Sequence, residues 1–374
     1  MTSWYVRAML LDRRSFAIAS TALLTGCATT STGRRTSIAD CSPLVPVKVE
    51  EGRVIRTVAG LRPYRASGFV VRAEALGDKR LVHNYGHGGA GITLSWGSSK
   101  LATGLGLQGH GGPVAVIGAG IMGLTTARLV QEAGFPVTIY TAALPPDTTS
   151  NVAGGQWNPF GHFRDDAVTP EWRQQFRVAA DYSWRRFQIM VGEDYGVRWL
   201  PTYNESDGGG EEDRVVPTFP AAWQRLSAHE HPFAIDNLTR YDTIYVETGR
   251  FLARLLNDIR LAEGRVEVRR FATPADLAAL PEQLIFNCTG LGSRDLFGDE
   301  ELVPVRGQLA ILLPQPEVRY AFTGEAGYMF PRPDGIILGG TFERGEWSTV
   351  PDPADIRRIV DSHRRLFAGF RCAA

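Results

Sequence analysis

The sequence predicts an α/β protein in which parallel strands alternate with helices, joined to a second region of mixed α and β structure. An apolar run at residues 114–117 leads directly into Gly118-Ala119-Gly120-Ile121-Met122-Gly123, and apolar side chains then recur at helical spacing. After Gly134-Phe135, residues 137–140 form a second apolar run. A strand, a glycine turn, a helix and a second strand are the beginning of a parallel sheet with a dinucleotide-binding turn, the Rossmann-type arrangement.

Each glycine of this turn has a physical role. Gly118 allows a tight turn, Gly120 lets backbone N–H groups approach a pyrophosphate, and Gly123 permits close packing of the helix. The acidic residue that usually follows the second strand and binds ribose is missing from Ile139-Tyr140-Thr141-Ala142. This gap argues against a simple NAD site, and Thr141 is the candidate for a weaker hydrogen bond to ribose.

Length, charge and cysteine spacing narrow the function further. The 374 residues are enough for about two domains, and 40 basic residues balance 40 acidic ones. No polybasic field is available to bind nucleic acid. The sequence contains no Cys-x-x-Cys pair and no histidine cluster with the spacing of metal ligands, so we expect no metal.

The first 27 residues resemble a bacterial export signal. Arg13-Arg14 precedes a short apolar run, which ends in Leu24-Thr25-Gly26-Cys27. The paired arginines resemble a twin-arginine signal, and the last four residues resemble a lipobox that makes Cys27 the site of lipidation. Residues 28–40 read as a polar tether. We therefore expect an exported protein, periplasmic or on the outer surface, that contacts the membrane only through a lipid anchor.

Several segments together resemble one family, the FAD-dependent D-amino acid oxidases, which include D-aspartate oxidase. Two distinctive motifs are Gly60-Leu61-Arg62-Pro63 and His83-Asn84-Tyr85-Gly86-His87-Gly88-Gly89. The other segments are residues 114–123, 148–160, 286–290, 327–331 and 339–342. The resemblance implies FAD as cofactor and a D-amino acid and molecular oxygen as substrates. It also implies hydride transfer from Cα to flavin N5, yielding a 2-oxo acid, ammonia and hydrogen peroxide.

The resemblance also assigns roles around the substrate. Arg62 matches the arginine that clamps the substrate carboxylate, a bidentate task that suits a guanidinium. Tyr328 matches a tyrosine whose hydroxyl reaches the same carboxylate. Asn158 stands where some members place Gln beside the amino group, and Gly89 matches the glycine whose carbonyl accepts from the amine. A second family tyrosine falls on Gly324, so we expect a pocket that is more open or is closed by another segment.

A larger set of residues is implied to bind FAD. It comprises the glycine turn, the polar ends of two strands, the segment after residue 148 and the wall around the flavin ring. By residue these are Gly118, Ala119, Gly120, Ile121, Met122, Gly123, Thr141, Thr148, Thr149, Ser150, Gly155, Gln156, Phe271, Thr289, Gly290, His83, Gly88, Gly89, Ala90, Gly91, Ile92 and Thr93.

The order of the segments differs from the family order, because residues 54–105 stand in front instead of near the end. Circular permutation is the simplest account, with residues 106–113 as the new linker. We expect an FAD-binding domain from residues 54–160 and 246–296. Residues 161–245 and 297–374 are expected to form an α+β substrate domain with a mixed or antiparallel sheet. Cys41 and Cys372 flank the new seam, and a disulfide between them would close it.

Three alternatives remain at this point. A flavin dehydrogenase of the same fold would pass electrons to a membrane acceptor and form no peroxide. A non-catalytic envelope lipoprotein would use the fold for binding, although the presence of Arg62, Tyr328 and the glycine set argues against it. An NAD-dependent enzyme is disfavoured by the missing acid.

Overall fold

The structure, a computed structural model, describes residues 44–205 and 216–371. The predicted export signal and tether, and with them Cys27, Cys41 and Cys372, lie outside the described residues. The lipidation and the disulfide therefore stay predictions. The fourth cysteine, Cys288, is buried and has a free thiol.

The described residues form fifteen strands and eight α-helices. The strands are β1 Val54–Tyr64, β2 Val70–Leu76, β3 Lys79–Tyr85, β4 Val114–Ile117, β5 Val137–Thr141, β6 Val197–Asn204, β7 Ala221–Leu226, β8 Leu238–Val246, β9 Arg265–Val268, β10 Leu284–Asn287, β11 Val303–Leu312, β12 Ala321–Gly324, β13 Gly327–Arg332, β14 Gly335–Gly339 and β15 Glu343–Arg344. The helices are α1 Gly91–Leu107, α2 Ile121–Glu132, α3 Thr149–Val152, α4 Pro170–Ile189, α5 Thr248–Leu261, α6 Pro274–Ala278, α7 Gly292–Phe297 and α8 Pro353–Ala368.

The smaller sheet has six strands in the order β2-β3-β10-β4-β5-β9. All neighbouring pairs are parallel except β2 with β3. Every residue of β4, β5 and β10 is buried, because helices cover both faces of a parallel sheet. The strand, turn and helix predicted from the sequence at residues 114–132 are confirmed as β4 and α2, and the predicted Rossmann-type α/β fold is confirmed with them.

The larger sheet has nine strands in the order β1-β11-β14-β13-β12-β6-β8-β7, with β15 also paired to β11. Its pairs are antiparallel apart from β12 with β6, which confirms a mixed sheet. Alternate residues of its central strands belong to two different apolar clusters. Leu309, Ile337 and Phe330 pack in one cluster, whereas Ala310, Leu338 and Met329 pack in the other, so the sheet buries both faces.

Residues 54–105, the segment that stands early in the chain, contribute strands to both sheets. Strand β1 pairs with β11 along its whole length in the nine-stranded sheet, whereas β2, β3 and α1 belong with the six-stranded sheet. The predicted grouping of residues 54–105 in one cofactor-binding domain thus spans both sheets. The glycine-rich connection begins only after Leu107, where α1 ends.

Helix α8 covers the face of the nine-stranded sheet that carries Ala310, Leu338 and Met329. Its first turn is capped, because Asp352 accepts a hydrogen bond from the backbone N–H of Ala354 at 2.7 Å. The two ends of the described chain meet here, since both Leu44 and Phe370 pack against this cluster.

Candidate active site

One cavity of about 980 Å³ collects residues from both sheets. From the six-stranded sheet come the carboxyl ends of four strands, at Tyr85, Ile117, Thr141 and Cys288. This is the edge at which open parallel sheets bind ligands. From the nine-stranded sheet come residues of β1, β11, β12 and β13.

At one end of the cavity, which we call the turn end, the wall surrounds the glycine turn. It consists of residues 118–122, 140–143 and 269–272. Gly118 has φ of +110°, and a Cβ there would lie 2.6 Å from the Cys288 carbonyl oxygen. The N-terminus of α2 opens into the same space, so its backbone N–H groups and dipole favour an anion.

Thr141 at this end is already engaged by hydrogen bonds within the turn. Its hydroxyl donates to the carbonyl oxygen of Ala143 at 2.7 Å and accepts from the backbone N–H of Ala119 at 3.1 Å. The single hydroxyl hydrogen is therefore used inside the turn, and Thr141 can offer a ligand only a remaining lone pair. Two cationic side chains, Arg269 and Arg270, line the cavity nearby.

Ser150 joins the turn end to the middle of the cavity. Its hydroxyl oxygen accepts the N–H of Ile121 in the first turn of α2 at 3.0 Å, which leaves the hydroxyl hydrogen available for a ligand. Gly155, with φ of +91°, would place a Cβ 2.0 Å from the carbonyl oxygen of Val246. The predicted segment 148–156 thus lies along the cavity wall between the two sheets.

At the opposite end, which we call the Arg62 end, the wall is mainly side chain. It is formed by residues 60–63, Gly307, Leu309, Tyr328 and Phe330. Arg62 donates from Nη1 to the carbonyl oxygen of Thr341 at 3.2 Å. A Cβ on Gly307 would lie 2.3 Å from Nη2 of Arg62, so the guanidinium occupies space that only glycine leaves free.

Tyr328 lies next to Arg62, although 266 residues separate them in the sequence. Its ring stacks on Phe330 with centroids 4.7 Å apart, and Cβ atoms on Gly339 or Gly340 would lie 2.3 Å and 2.8 Å from it. Burial raises the pKa of the Tyr328 hydroxyl, while a hydrogen bond from Arg62 opposes the rise. The phenol therefore stays protonated and can donate to an anion.

Asn158 and Gly89 complete the predicted substrate contacts in the same cavity. Oδ1 of Asn158 accepts the backbone N–H of Phe160 at 3.1 Å, so part of its capacity to receive an amine is used in a local turn. Gly89 is adjacent to Arg62, with 3.6 Å between a notional Cβ and Cδ of the arginine. All four predicted substrate residues are thus brought together.

Four of the predicted cofactor residues do not line the cavity: His83, Ala90, Thr93 and Gly123. For His83 the geometry does not support the prediction, because the buried ring bonds Glu74 at 3.0 Å and Asn287 at 2.9 Å. Thr93 contacts a lining residue instead of the cavity, because its hydroxyl accepts the backbone N–H of Asn158 at 3.1 Å. Gly123 is a packing position, since a Cβ would lie 1.9 Å from the Gly118 carbonyl oxygen.

A side chain at position 324 would point away from the cavity, so this position could not carry a tyrosine that covers the pocket. Strands β12 and β13 are joined by a tight turn in which Gly324 pairs with Gly327. A Cβ on Gly324 would meet Glu205 Oε2 at 2.3 Å and Phe322 at 2.9 Å, on the face covered by α8. The expected alternatives for this position, a more open pocket or closure by another segment, both remain compatible with this turn.

The sequence reasoning missed the residues that make room for Arg62 and Tyr328. Gly307 interrupts an apolar strand, and a glycine inside a strand often marks a close approach, so this signal was present. Gly339-Gly340 belongs to a segment that carries the resemblance, but the sequence does not show that these glycines make room for Tyr328. Arg269 and Arg270 gave no signal, because two exposed arginines after a strand are common.

Among residues 44–205 and 216–371, no group of three or more His, Cys, Asp or Glu side chains is placed to hold a metal ion. Within the same ranges, the helices are all too short or too polar to cross a membrane.

Comparison with known proteins identifies the class. The family model described as FAD dependent oxidoreductase matches residues 12–105 and 113–374, which is nearly the whole chain. The chain therefore belongs to this FAD-dependent family of oxidoreductases.

Among individual relatives, the D-amino-acid oxidase of Streptomyces coelicolor is 34% identical over 243 residues, covering 61% of this chain and 70% of that protein. The D-amino-acid oxidase of Rubrobacter xylanophilus is 30% identical over 232 residues, covering 58% of this chain. The match spans 65% of that relative's length. Human D-aspartate oxidase is 29% identical over 226 residues, covering 58% of this chain and 63% of that protein.

Two solved structures share the fold. Glycine oxidase from Geobacillus kaustophilus superposes with a TM-score of 0.52 at 16% identity, covering 71% of this chain and 81% of that one. Iminodiacetate oxidase from Chelativorans gives a TM-score of 0.52 at 17% identity, covering 68% and 79%.

The cavity fits the cofactor of the family. Gly118 and Gly155 let the lining backbone pack against the carbonyl oxygens of Cys288 and Val246, where a Cβ would clash, and the α2 N-terminus with Ser150 offers donors for a pyrophosphate. The lining of the cavity includes Thr141, Ser150, Val152 and Tyr328, so it extends from the glycine turn to the Arg62 end.

Proposed function

We propose that this protein oxidises D-amino acids with bound FAD, forming the 2-oxo acid, ammonia and hydrogen peroxide. The observation that carries the proposal is the meeting of Arg62 and Tyr328 at one end of the cavity whose other end is the dinucleotide turn. An anion-binding pair beside a flavin site suits a substrate with a carboxylate next to the carbon that is oxidised.

The chain's own residues bind and orient the substrate. Arg62 and Tyr328 receive the carboxylate, and the backbone carbonyl of Gly89 with Oδ1 of Asn158 receives the amino group. With the carboxylate and the amino group both held, the configuration at Cα sets the direction in which its hydrogen points. Such orientation is the contribution that this site makes to the rate. When bound, FAD supplies the acceptor for the hydride from Cα and transfers the electrons to oxygen.

The direct test uses the purified flavoprotein without oxygen. Each of a panel of D- and L-amino acids is added while the flavin absorption near its long-wavelength maximum is recorded. We expect D-amino acids to bleach the flavin and L-amino acids to leave it unchanged. A protein that no D-amino acid bleaches would overturn the proposal.

Admission of oxygen distinguishes the second candidate, a dehydrogenase that uses a membrane acceptor. An oxidase forms peroxide in step with substrate loss, whereas a dehydrogenase stays reduced until an artificial quinone is added. The apposition of Arg62 and Tyr328 supports either enzyme over a non-catalytic envelope lipoprotein, which has no need of an anion site beside a flavin.

For localisation, we propose export and lipidation at Cys27 on the basis of residues 13–27. The expected result is wild-type protein in the membrane fraction and Cys27→Ala protein in the soluble envelope fraction. Equal fractionation of the two would remove the anchor from the proposal.

The seam of the proposed circular permutation is supported by described residues on both sides. Leu44 and Phe370 pack against one cluster, and Nε of Arg364 donates to the Val49 carbonyl oxygen at 3.3 Å. Cys41 lies three residues before Leu44 and Cys372 lies two residues after Phe370 in the sequence. Peptide mapping without reductant should recover them as one linked peptide, and separately alkylated peptides would exclude the disulfide.

A further inference from the structure

His363 lies on the far side of the nine-stranded sheet from the cavity, yet it contacts the backbone of a cavity residue. The imidazole is on α8 and its exposed fraction is 0%. Nε2 lies 3.1 Å from the carbonyl oxygen of Tyr328, and Nδ1 lies 2.8 Å from that of Ile359. His363 also abuts Gly327, where a notional Cβ would be 3.2 Å from Cε1.

Both ring nitrogens of His363 thus face acceptors. Burial lowers the pKa of the imidazole, so at neutral pH the ring carries one N–H for two carbonyl oxygens. The Ile359 carbonyl stands one helical turn before His363 and can accept its backbone N–H instead. The carbonyl oxygen of Tyr328 belongs to β13, which pairs with β12 and β14, and a carbonyl oxygen has a second lone pair that can accept the Nε2–H. The Nε2–H tautomer is therefore the one that joins α8 to β13.

The position of Tyr328 is sensitive to this contact. Its ring is confined on the cavity side by Gly339, Gly340 and Phe330. Its backbone pairs with Thr323 in β12 and Gly339 in β14, so the ladders hold it within the sheet, and His363 contacts it from the α8 face. Gly327, immediately before it, has φ of +106° and supplies little stiffness of its own. A small movement of the Tyr328 backbone would carry the hydroxyl away from Arg62.

We infer that His363 is a positioning residue for substrate binding: by donating from Nε2 to the Tyr328 carbonyl it holds the tyrosine hydroxyl beside Arg62. This inference rests on the proposed function, because it takes the Arg62 and Tyr328 pair as the carboxylate site. His363 touches neither substrate nor cofactor and acts only through Tyr328.

Three variants of the FAD-loaded protein separate the two ring nitrogens. The amide nitrogen of His363→Gln can take the place of Nε2, that of His363→Asn the place of Nδ1, and His363→Leu supplies no donor. We expect KM for a D-amino acid to stay within about twofold in the Gln variant and to rise about three- to tenfold in the other two. The value of kcat should change little in all three, because the carboxylate contact is the same in ground and transition states.

Coupling to Tyr328 distinguishes positioning from general packing. In a Tyr328→Phe background, His363→Asn should raise KM no further, since the hydroxyl through which it acts is gone. As a control, Val360→Ala removes packing from the same buried helix face and should lower Tm without changing KM. Equal KM effects in both backgrounds, or an equal rise in the Gln and Asn variants, would overturn the inference.

Binding of sodium benzoate, followed by the change in flavin absorption, makes the test independent of turnover. A wild-type protein that binds benzoate but oxidises no D-amino acid would overturn the proposed function while still testing His363 through the benzoate Kd. The same Gln, Asn and Leu ranking is expected for that Kd. A wild-type protein that binds no benzoate would overturn both.

Discussion

The two ends of the cavity are built on different physical principles. At the turn end the anion-binding groups are backbone N–H groups and the dipole of α2, with Arg269 and Arg270 nearby, and Gly118 and Gly123 let backbone segments pack closely. At the Arg62 end the ligand-facing groups are two side chains, and glycines 307, 339 and 340 serve them by leaving room. The turn end therefore depends on how closely backbone segments approach each other, whereas the Arg62 end depends on side chains that come together from distant strands.

This difference predicts separable defects. Damage to the turn end should remove the cofactor, and with it the stability that a bound ligand contributes. Damage to the Arg62 end should leave a yellow, folded protein that binds its substrate poorly. A variant that mixed the two defects would show that the ends are coupled.

The largest effect is expected for Gly123→Ala. A Cβ at this position would lie 1.9 Å from the Gly118 carbonyl oxygen, which must move and distort the dinucleotide turn. We expect protein purified without flavin, measured as the ratio of flavin to protein absorbance. Gly104→Ala in α1 is the matched control, since nothing lies within 4 Å of its notional Cβ, and should be neutral or stabilising by roughly 0.5–1 kcal/mol.

Arg62→Ala should raise KM for D-amino acids about 10- to 100-fold, because a charge-assisted contact of roughly 1.5–3 kcal/mol is lost. The flavin content should stay that of the wild type. Arg62→Lys keeps the charge but not the bidentate geometry, so its KM should lie between those of the wild type and Arg62→Ala. An unchanged KM in the Ala variant would remove Arg62 from the site.

Gly307→Ala tests the Arg62 end without removing any functional group. The added methyl would lie 2.3 Å from the guanidinium, so the arginine must turn away. We expect KM to rise about tenfold, the equivalent of one charge-assisted hydrogen bond of about 1.4 kcal/mol. Steady-state kinetics at constant flavin content measures this, and a loss of flavin instead would mean that the two ends share one structural unit.

Acid should lower the free energy of unfolding through two buried histidines, His87 and His162. Burial lowers the pKa of His87 to about 3 and that of His162 to about 4, so the folded protein binds these protons less readily than the unfolded chain, with its pKa near 6.5. Stability is complete above pH 6.5 and falls below it, by up to about 1.4 kcal/mol per pH unit for each imidazole. Thermal melts from pH 8 to 4 should show this, with a shallower decline for His162→Phe. Parallel declines would exclude His162 as a cause.

The smallest effect is expected for Tyr328→Phe. The variant loses one hydrogen bond to the carboxylate while the stacked ring remains, which corresponds to about 0.5–1.5 kcal/mol and a two- to tenfold rise in KM. The absorption spectrum of the flavin should not change. A greater loss than in Arg62→Ala would reverse the order of the two residues at this end.

The same comparison explains what the sequence could predict. The structure of residues 114–132 can be predicted from local sequence alone, because a strand, three spaced glycines and a helix form a continuous pattern. Arg62, Tyr328 and Gly89 were placed only through a resemblance, since nothing near each of them shows that β1, β13 and the residue 83–93 segment converge. The hydrogen bonds that Thr141 accepts from Ala119 and that His83 makes with Asn287 involve partners 22 and 204 residues away, beyond any local pattern.

The faces of the nine-stranded sheet also decide where other molecules can be joined to this protein. Leu44 and Phe370, at the two ends of the described chain, pack on the face that carries α8, while Leu309, Tyr328 and Phe330 face the cavity from the other side. A tag, a fused domain or a solid support joined next to Leu44 or Phe370 therefore lies on the α8 side of the sheet, away from the cavity. The scaffold is thus suited to immobilisation, because the point of attachment and the cavity lie on opposite faces of the sheet.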